Sequence, residues 1–207
     1  TESISFYDDM SLELRFNEKT GGTTCDAGST CVTDTSGHSA TTITSTQDIS
    51  YAEDSTRPTS SINSVLSCRY DSISTGALKL SCSTEDLSNC GLSWLTGNPT
   101  HSISAWVFVP NTTPSSYRGW ILQLGQPGTG SHHWILNTDR ILQMGRWGGC
   151  AESDCGDQFE YTLNVEEWMH VVTTYDSTTS KYCLYINGAL NKCITFPDED
   201  GFIMGYD

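Results

Sequence analysis

The side chains most able to do chemistry in this sequence are acids gathered beside a short cysteine-flanked loop. CAESDCGDQFE places Glu152, Asp154, Asp157 and Glu160 between or just after Cys150 and Cys155. Carboxylate oxygens brought together on a constrained loop are the ligands Ca²⁺ prefers, so Glu152, Asp154 and Asp157 form a candidate calcium site. The spacing is not that of an EF-hand, and an acidic surface loop is the commoner use of such residues. Asp198, Glu199 and Asp200 ahead of Gly201 form a second, weaker acidic group. No other cofactor is implied.

Histidine offers less. His132 and His133 are adjacent, and on a strand adjacent side chains point to opposite faces, so they cannot chelate one metal together. No Ser-His-Asp, phosphate-loop or dinucleotide pattern is present. Aromatic residues are better candidates for binding. Trp94 and Trp147 stand beside glycine-rich loops and could stack on sugar rings, whereas Trp120 and Trp134 lie within apolar runs and read as core. Asn111-Thr112-Thr113 is an N-glycosylation sequon just past a strand, followed by Pro114, which disfavours its use.

Nine cysteines occur, and eight fall into close pairs. None has zinc-finger spacing, and histidines are not nearby, so local bridges made in an oxidising compartment explain the pattern best. The expected bridges are Cys25–Cys31, Cys82–Cys90, Cys150–Cys155 and Cys183–Cys193, with Cys68 left over as a buried thiol or an intermolecular partner. The last bridge carries a register requirement. A plain two-residue turn at Asn187-Gly188 would set Cys183 opposite Lys192. A three-residue loop, Asn187 to Ala189, sets the two cysteines opposite each other and is the expected geometry.

The elements that must position these residues are strands. Leu12, Leu14 and Phe16 alternate with polar residues, as do the residues of ALKLSC at 77–82. HSISAWVFVP, residues 101–110, is apolar on both faces and should be a central strand ended by Pro110. GWILQLG, HWILNT, RILQMG, the stretch beginning YTLNVEEWMHVVTTYDS, and YCLYING follow at short spacing. No stretch shows a helical period. In residues 168–172, Trp168 starts a strand whose inward side includes His170 and Val172, which makes His170 a core histidine.

Composition agrees with this. About a quarter of the residues are Ser or Thr, 36% are apolar and 17% charged, which suits many short strands joined by polar turns. The 207 residues suit one large antiparallel β-sandwich, an all-β fold, rather than two small domains. With 10 basic against 25 acidic residues, a net charge of −15 makes nucleic acid and anionic membranes poor partners. No apolar run is long enough to span a membrane, and the opening TESISFYDDM has no signal-peptide character. An exported protein would therefore be seen here in mature form.

These pieces, in this order, resemble the laminin-G-like jelly-roll domains related to pentraxins and concanavalin A-like lectins. SLELRFNEKTGG with a following DTSG turn, ISAWVFV, and EEWMHVVTTYDSTTSKYCLYINGAL carry the resemblance over residues 11–206. It implies a concanavalin-like sandwich over 11–207, with residues 1–10 as an N-terminal extension and candidate donor strand. It also implies that a closing C-terminal strand is missing after GFIMGYD, to be supplied either by further residues of a longer protein of which this chain is a fragment or by a neighbouring subunit. Related glucanases use carboxylates spaced along one strand face, about 5–5.5 Å apart in retaining chemistry, and the acids of the 150–160 loop do not alternate that way. No catalytic residues are expected. The implied role is a secreted or cell-surface binding and assembly module, such as an adhesion, matrix or fibril subunit, with an extracellular protein or glycan as partner and self-assembly by strand complementation. A Ca²⁺-assisted lectin is the alternative, and a glycoside hydrolase a more distant one.

Overall fold

The computed structural model describes residues 24–25, 30–33, 42–45, 49–53, 66–69, 78–81, 97–111, 113, 115, 119–124, 130–147, 158–196 and 202. The expected N-terminal strand at 11–17 and the extension at 1–10 lie outside these. The chain divides into two compact units, Thr1–Trp94 and Leu95–Asp207.

In the first unit, short Ser/Thr-rich strands pair antiparallel. They are β1 (Thr24–Cys25), β2 (Thr30–Thr33), β3 (Thr42–Ser45), β4 (Ile49–Glu53), β5 (Leu66–Arg69) and β6 (Leu78–Ser81). Their orders are β1-β4-β5 and β2-β3-β6. The backbones of Cys25, Cys31 and Cys68 fall in β1, β2 and β5.

The second unit is a sandwich of two four-stranded antiparallel sheets. Its strands are β7 (His101–Phe108), β8 (Gly119–Leu124), β9 (Ser131–Leu136), β10 (Ile141–Trp147), β11 (Gln158–Thr162), β12 (Trp168–Asp176), β13 (Lys181–Ile186) and β14 (Ala189–Thr195). One sheet runs β11-β10-β9-β8 and the other β14-β13-β12-β7. Consecutive strands pair as neighbours from β8 to β11 and from β12 to β14 because their connections are short. Among the described strands β7 ends its sheet, and the interior positions expected for it fall to β12 and β13.

The inner faces meet in an aromatic core. Phe159 of β11 stacks on Tyr182 of β13 with ring centroids 4.9 Å apart, and Phe202 and Phe196 pack edge to face at 5.1 Å. Trp134, Leu142, Met144, Val171 and Leu184 are fully buried around them. Each large apolar side chain so buried stabilises the sandwich by about 1.5–3 kcal/mol. Phe202 reaches this core from beyond β14, and its backbone N–H donates to Asn98 Oδ1 at 3.0 Å.

Two expectations are corrected here. On β12 the buried residues are Met169, Val171, Thr173 and Tyr175, so His170 and Val172 face outward and are only half-buried. Both sides of this strand carry apolar residues, and packing selects the side that holds Tyr175 against the core rings. The second concerns the last hairpin. Asn187-Gly188 forms a two-residue turn, with φ of 50° and 79° and Ile186 opposite Ala189. A bulge then opposes Tyr185 to Leu190 and Leu184 to Lys192, which leaves Asn191 as the extra residue. Cys183 therefore comes opposite Cys193, and the two are bridged. The disulfide is as expected, but the three-residue loop is replaced by a turn and a bulge.

Candidate functional site

Two groupings of polar and aromatic side chains stand out, one on each face of the β14-β13-β12-β7 sheet.

The outward face carries a row of rings. Strand alternation turns Ser104, Trp106 and Phe108 away from the core on β7, and the register sets Trp168 against Phe108 and His170 against Trp106. The Trp106 and His170 rings stack at 4.9 Å with 29° between planes, and Phe108 and Trp168 lie tilted at 5.3 Å. Ser104 Oγ is 2.7 Å from His170 Nε2. The backbone of His170 is clamped by Asn187, whose Oδ1 accepts from His170 N–H at 2.9 Å and whose own N–H donates to His170 O at 2.8 Å. Val172, Tyr185 and the exposed Leu190 continue the row across the sheet. Partial burial lowers the His170 pKa, so the imidazole is neutral at physiological pH.

A serine hydroxyl beside a histidine is the geometry of an activated nucleophile. Here it spans two strands on the outward face of the sheet, and among the described residues no carboxylate orients the His170 ring. The arrangement suits binding: flat, rigid apolar rings edged by a hydroxyl and an imidazole can take up a partner at low ordering cost.

The inward face carries a buried polar chain. His101 Nδ1 lies 2.8 Å from Pro99 O, His101 Nε2 lies 2.8 Å from His132 Nδ1, and His132 Nε2 lies 2.7 Å from Tyr182 Oη. Trp134 Nε1–H also donates to His132 Nε2, at 3.3 Å. Burial lowers the pKa of His101, and that of His132 well below the ordinary value, and raises that of Tyr182. His132 and His133 do point to opposite faces of β9, and burial holds His133 at about 4. Sequence reading missed His101, although its parity with Val107 and Val109, both in the core, was available.

The expected site residues are distributed unevenly. Glu152, Asp154 and Asp157, the candidate calcium ligands, lie outside the described residues, as do Trp94, Cys82, Cys90, Cys150, Cys155 and the acids at 198–200. Trp147 ends β10 opposite Ser131, and its side chain is not described. Glu160 is exposed on β11 and faces Gln143 across the sheet. Asn111 is exposed on the turn after β7, where its backbone N–H donates to Glu166 Oε1 at 2.5 Å. Among the described residues no cluster of metal-binding side chains occurs, and no helix is long and apolar enough to cross a membrane.

A laminin-G family model, described as the concanavalin A-like lectin/glucanases superfamily, matches residues 82–202, more than half of the 207-residue chain. The chain belongs to this superfamily. Its sandwich is also similar to that of solved botulinum neurotoxin structures. A serotype D/C VPI 5993 binding domain is 15% identical with a TM-score of 0.57, over 97% of this chain and 42% of that one. The binding domain of botulinum neurotoxin DC, in complex with rat synaptotagmin II, is 14% identical with a TM-score of 0.59, over 96% and 42%. A botulinum neurotoxin type C structure, from work on cell entry through two ganglioside molecules, is 14% identical with a TM-score of 0.57, over 94% and 40%. This superfamily member thus spans about two-fifths of the length of those chains. At such identities the likeness is one of fold. No curated protein sequence matches it.

Proposed function

We propose that this chain is a non-catalytic extracellular binding module that takes a protein or glycan partner on the outward ring row of β7 and β12. The observation that carries this reading is the cross-strand stacking of Trp106 on His170 beside Phe108 and Trp168. Rings at such positions are the usual energetic anchors of an interface, worth about 2 kcal/mol or more each. A disulfide-bridged hairpin favours an oxidising compartment. The similar neurotoxin domains, one studied for its interaction with gangliosides and one solved with synaptotagmin, add support for a module that meets glycans or proteins.

A glycan array and a panel of extracellular proteins, probed with the chain and with Trp106→Ala, test the reading. Binding that survives Trp106→Ala undiminished would count against the ring row. Repeating the array with EDTA tests the calcium-assisted lectin reading built on Glu152, Asp154 and Asp157. The non-enzyme reading is tested with β-glucan substrates, and turnover abolished by Glu152→Gln or Asp154→Asn would overturn it.

A further inference from the structure

The buried histidine chain has a determined direction. Pro99 O can only accept, so His101 Nδ1 carries the hydrogen between them. A neutral His101 then accepts at Nε2, and His132 Nδ1, 2.8 Å away, donates to it. A neutral His132 accepts at Nε2, where Tyr182 Oη and Trp134 Nε1–H both point. The indole N–H can only donate, so the far end of the chain demands the same tautomers as the near end.

The chain also crosses the sandwich. His101 and Tyr182 belong to β7 and β13 of one sheet, and His132 and Trp134 to β9 of the other. We propose that His101–His132–Tyr182 is an acid-sensitive latch between the two sheets, closed at neutral pH and opened by protonation.

The reason is that the chain takes up one more proton only by giving up hydrogen bonds it now makes. A hydrogen added at His132 Nε2 can be accepted by Tyr182 Oη only if that hydroxyl turns its own hydrogen away, and it sets itself against the Trp134 N–H, which loses its acceptor. A hydrogen added at His101 Nε2 faces the His132 Nδ1–H, and moving that one on to Nε2 meets the indole again. The surrounding rings cut an imidazolium off from water. Phe202 stacks on His132 at 4.3 Å, and Tyr175 and Phe202 lie 5.6 and 5.2 Å from His101. From β10 comes Arg146, the cross-strand partner of His132, with its guanidinium 5.4 Å from the Phe196 ring. His133, next along β9, disfavours the charge further. Among the described residues no carboxylate faces the chain. Burial keeps both imidazoles below their ordinary pKa. The stability they hold is therefore complete above about pH 6.5 and is lost as the pH falls from there through the lowered values.

The test is thermal unfolding of the full chain between pH 7.5 and 4.5, with His132→Gln and the outward-facing His170→Gln compared. The wild type and His170→Gln are expected to lose more melting temperature over this range than His132→Gln does, by about 5 °C or more. Equal losses in all three would overturn the latch. Should His132→Gln fail to fold, histidine ring NMR of the wild type decides. Imidazole rings that stay neutral until the cooperative loss of Trp134 fluorescence support it. A charged His132 in a still-folded chain at pH 4.5 overturns it.

Discussion

Cys183 and Cys193 face one another directly across β13 and β14, Cα to Cα 4.1 Å, because Asn191 is bulged out between them and the turn. Were Asn191 paired in the ladder instead of bulged, the two-residue turn at Asn187-Gly188 would bring Lys192 to the position Cys193 holds. Deleting Asn191 removes the bulge yet leaves the next two residues in the same register. Non-reduced peptide mapping of that deletion is expected to recover the Cys183–Cys193 peptide. Replacing both cysteines by serine should lower the free energy of unfolding by about 2–3 kcal/mol, the loop-entropy value for a ten-residue separation, measured by urea titration under non-reducing conditions.

Gly188 tests the turn independently. Its φ is +79° and a Cβ there would meet nothing within 4 Å, so any cost of substitution comes from the backbone. Gly188→Ala is expected to destabilise by about 1 kcal/mol, and Gly188→Asn by less, since asparagine tolerates this region better. Equal effects in chemical denaturation would show that the left-handed conformation is not what the position requires.

Tyr182→Phe isolates one link of the buried chain. It deletes the hydroxyl 2.7 Å from His132 Nε2 and leaves only the longer contact from Trp134. The core ring and its stack on Phe159 remain. A loss of about 1–2 kcal/mol in denaturant unfolding is expected, with a change in the His132 ring shifts and little change in those of His170.

His133 supplies a pH prediction of its own. Burial holds it at about 4 in the folded chain, against an ordinary 6.5. Its contribution is thus fully present above pH 6.5, declines as the pH falls, and is gone below about pH 4, in total about 3 kcal/mol. Ring NMR should show His133 neutral at pH 5. A midpoint near 6.5 in the folded protein would refute the burial argument.

Much of the architecture was legible in the residues. Short apolar runs in 101–109, 119–124, 131–136 and 168–176, divided by turn residues and lacking a helical period, mark strands. Asn187-Gly188 marks a hairpin because both positions need positive φ, and closely spaced cysteines flanking it mark a bridge. Which face of β12 enters the core was not legible. Trp168, His170 and Val172 are as apolar a set as Met169, Val171 and Tyr175, so the local pattern allowed both choices. Only the facing sheet, which offers Tyr175 the rings of His101 and Phe202, decides between them.

The same limit governs both candidate sites. Residue types and spacing determined an antiparallel sandwich with a stapled last hairpin, because those features depend on neighbours a few positions apart. His101 and His132 are 31 positions apart and Tyr182 is 50 beyond His132. No local pattern links them, and each alone reads as a polar residue in an apolar strand. Their chain exists because two sheets close on one another and leave buried donors and acceptors that must be paired. The ring row on the opposite face follows from that choice, since turning Tyr175 inward turns His170 outward against Trp106.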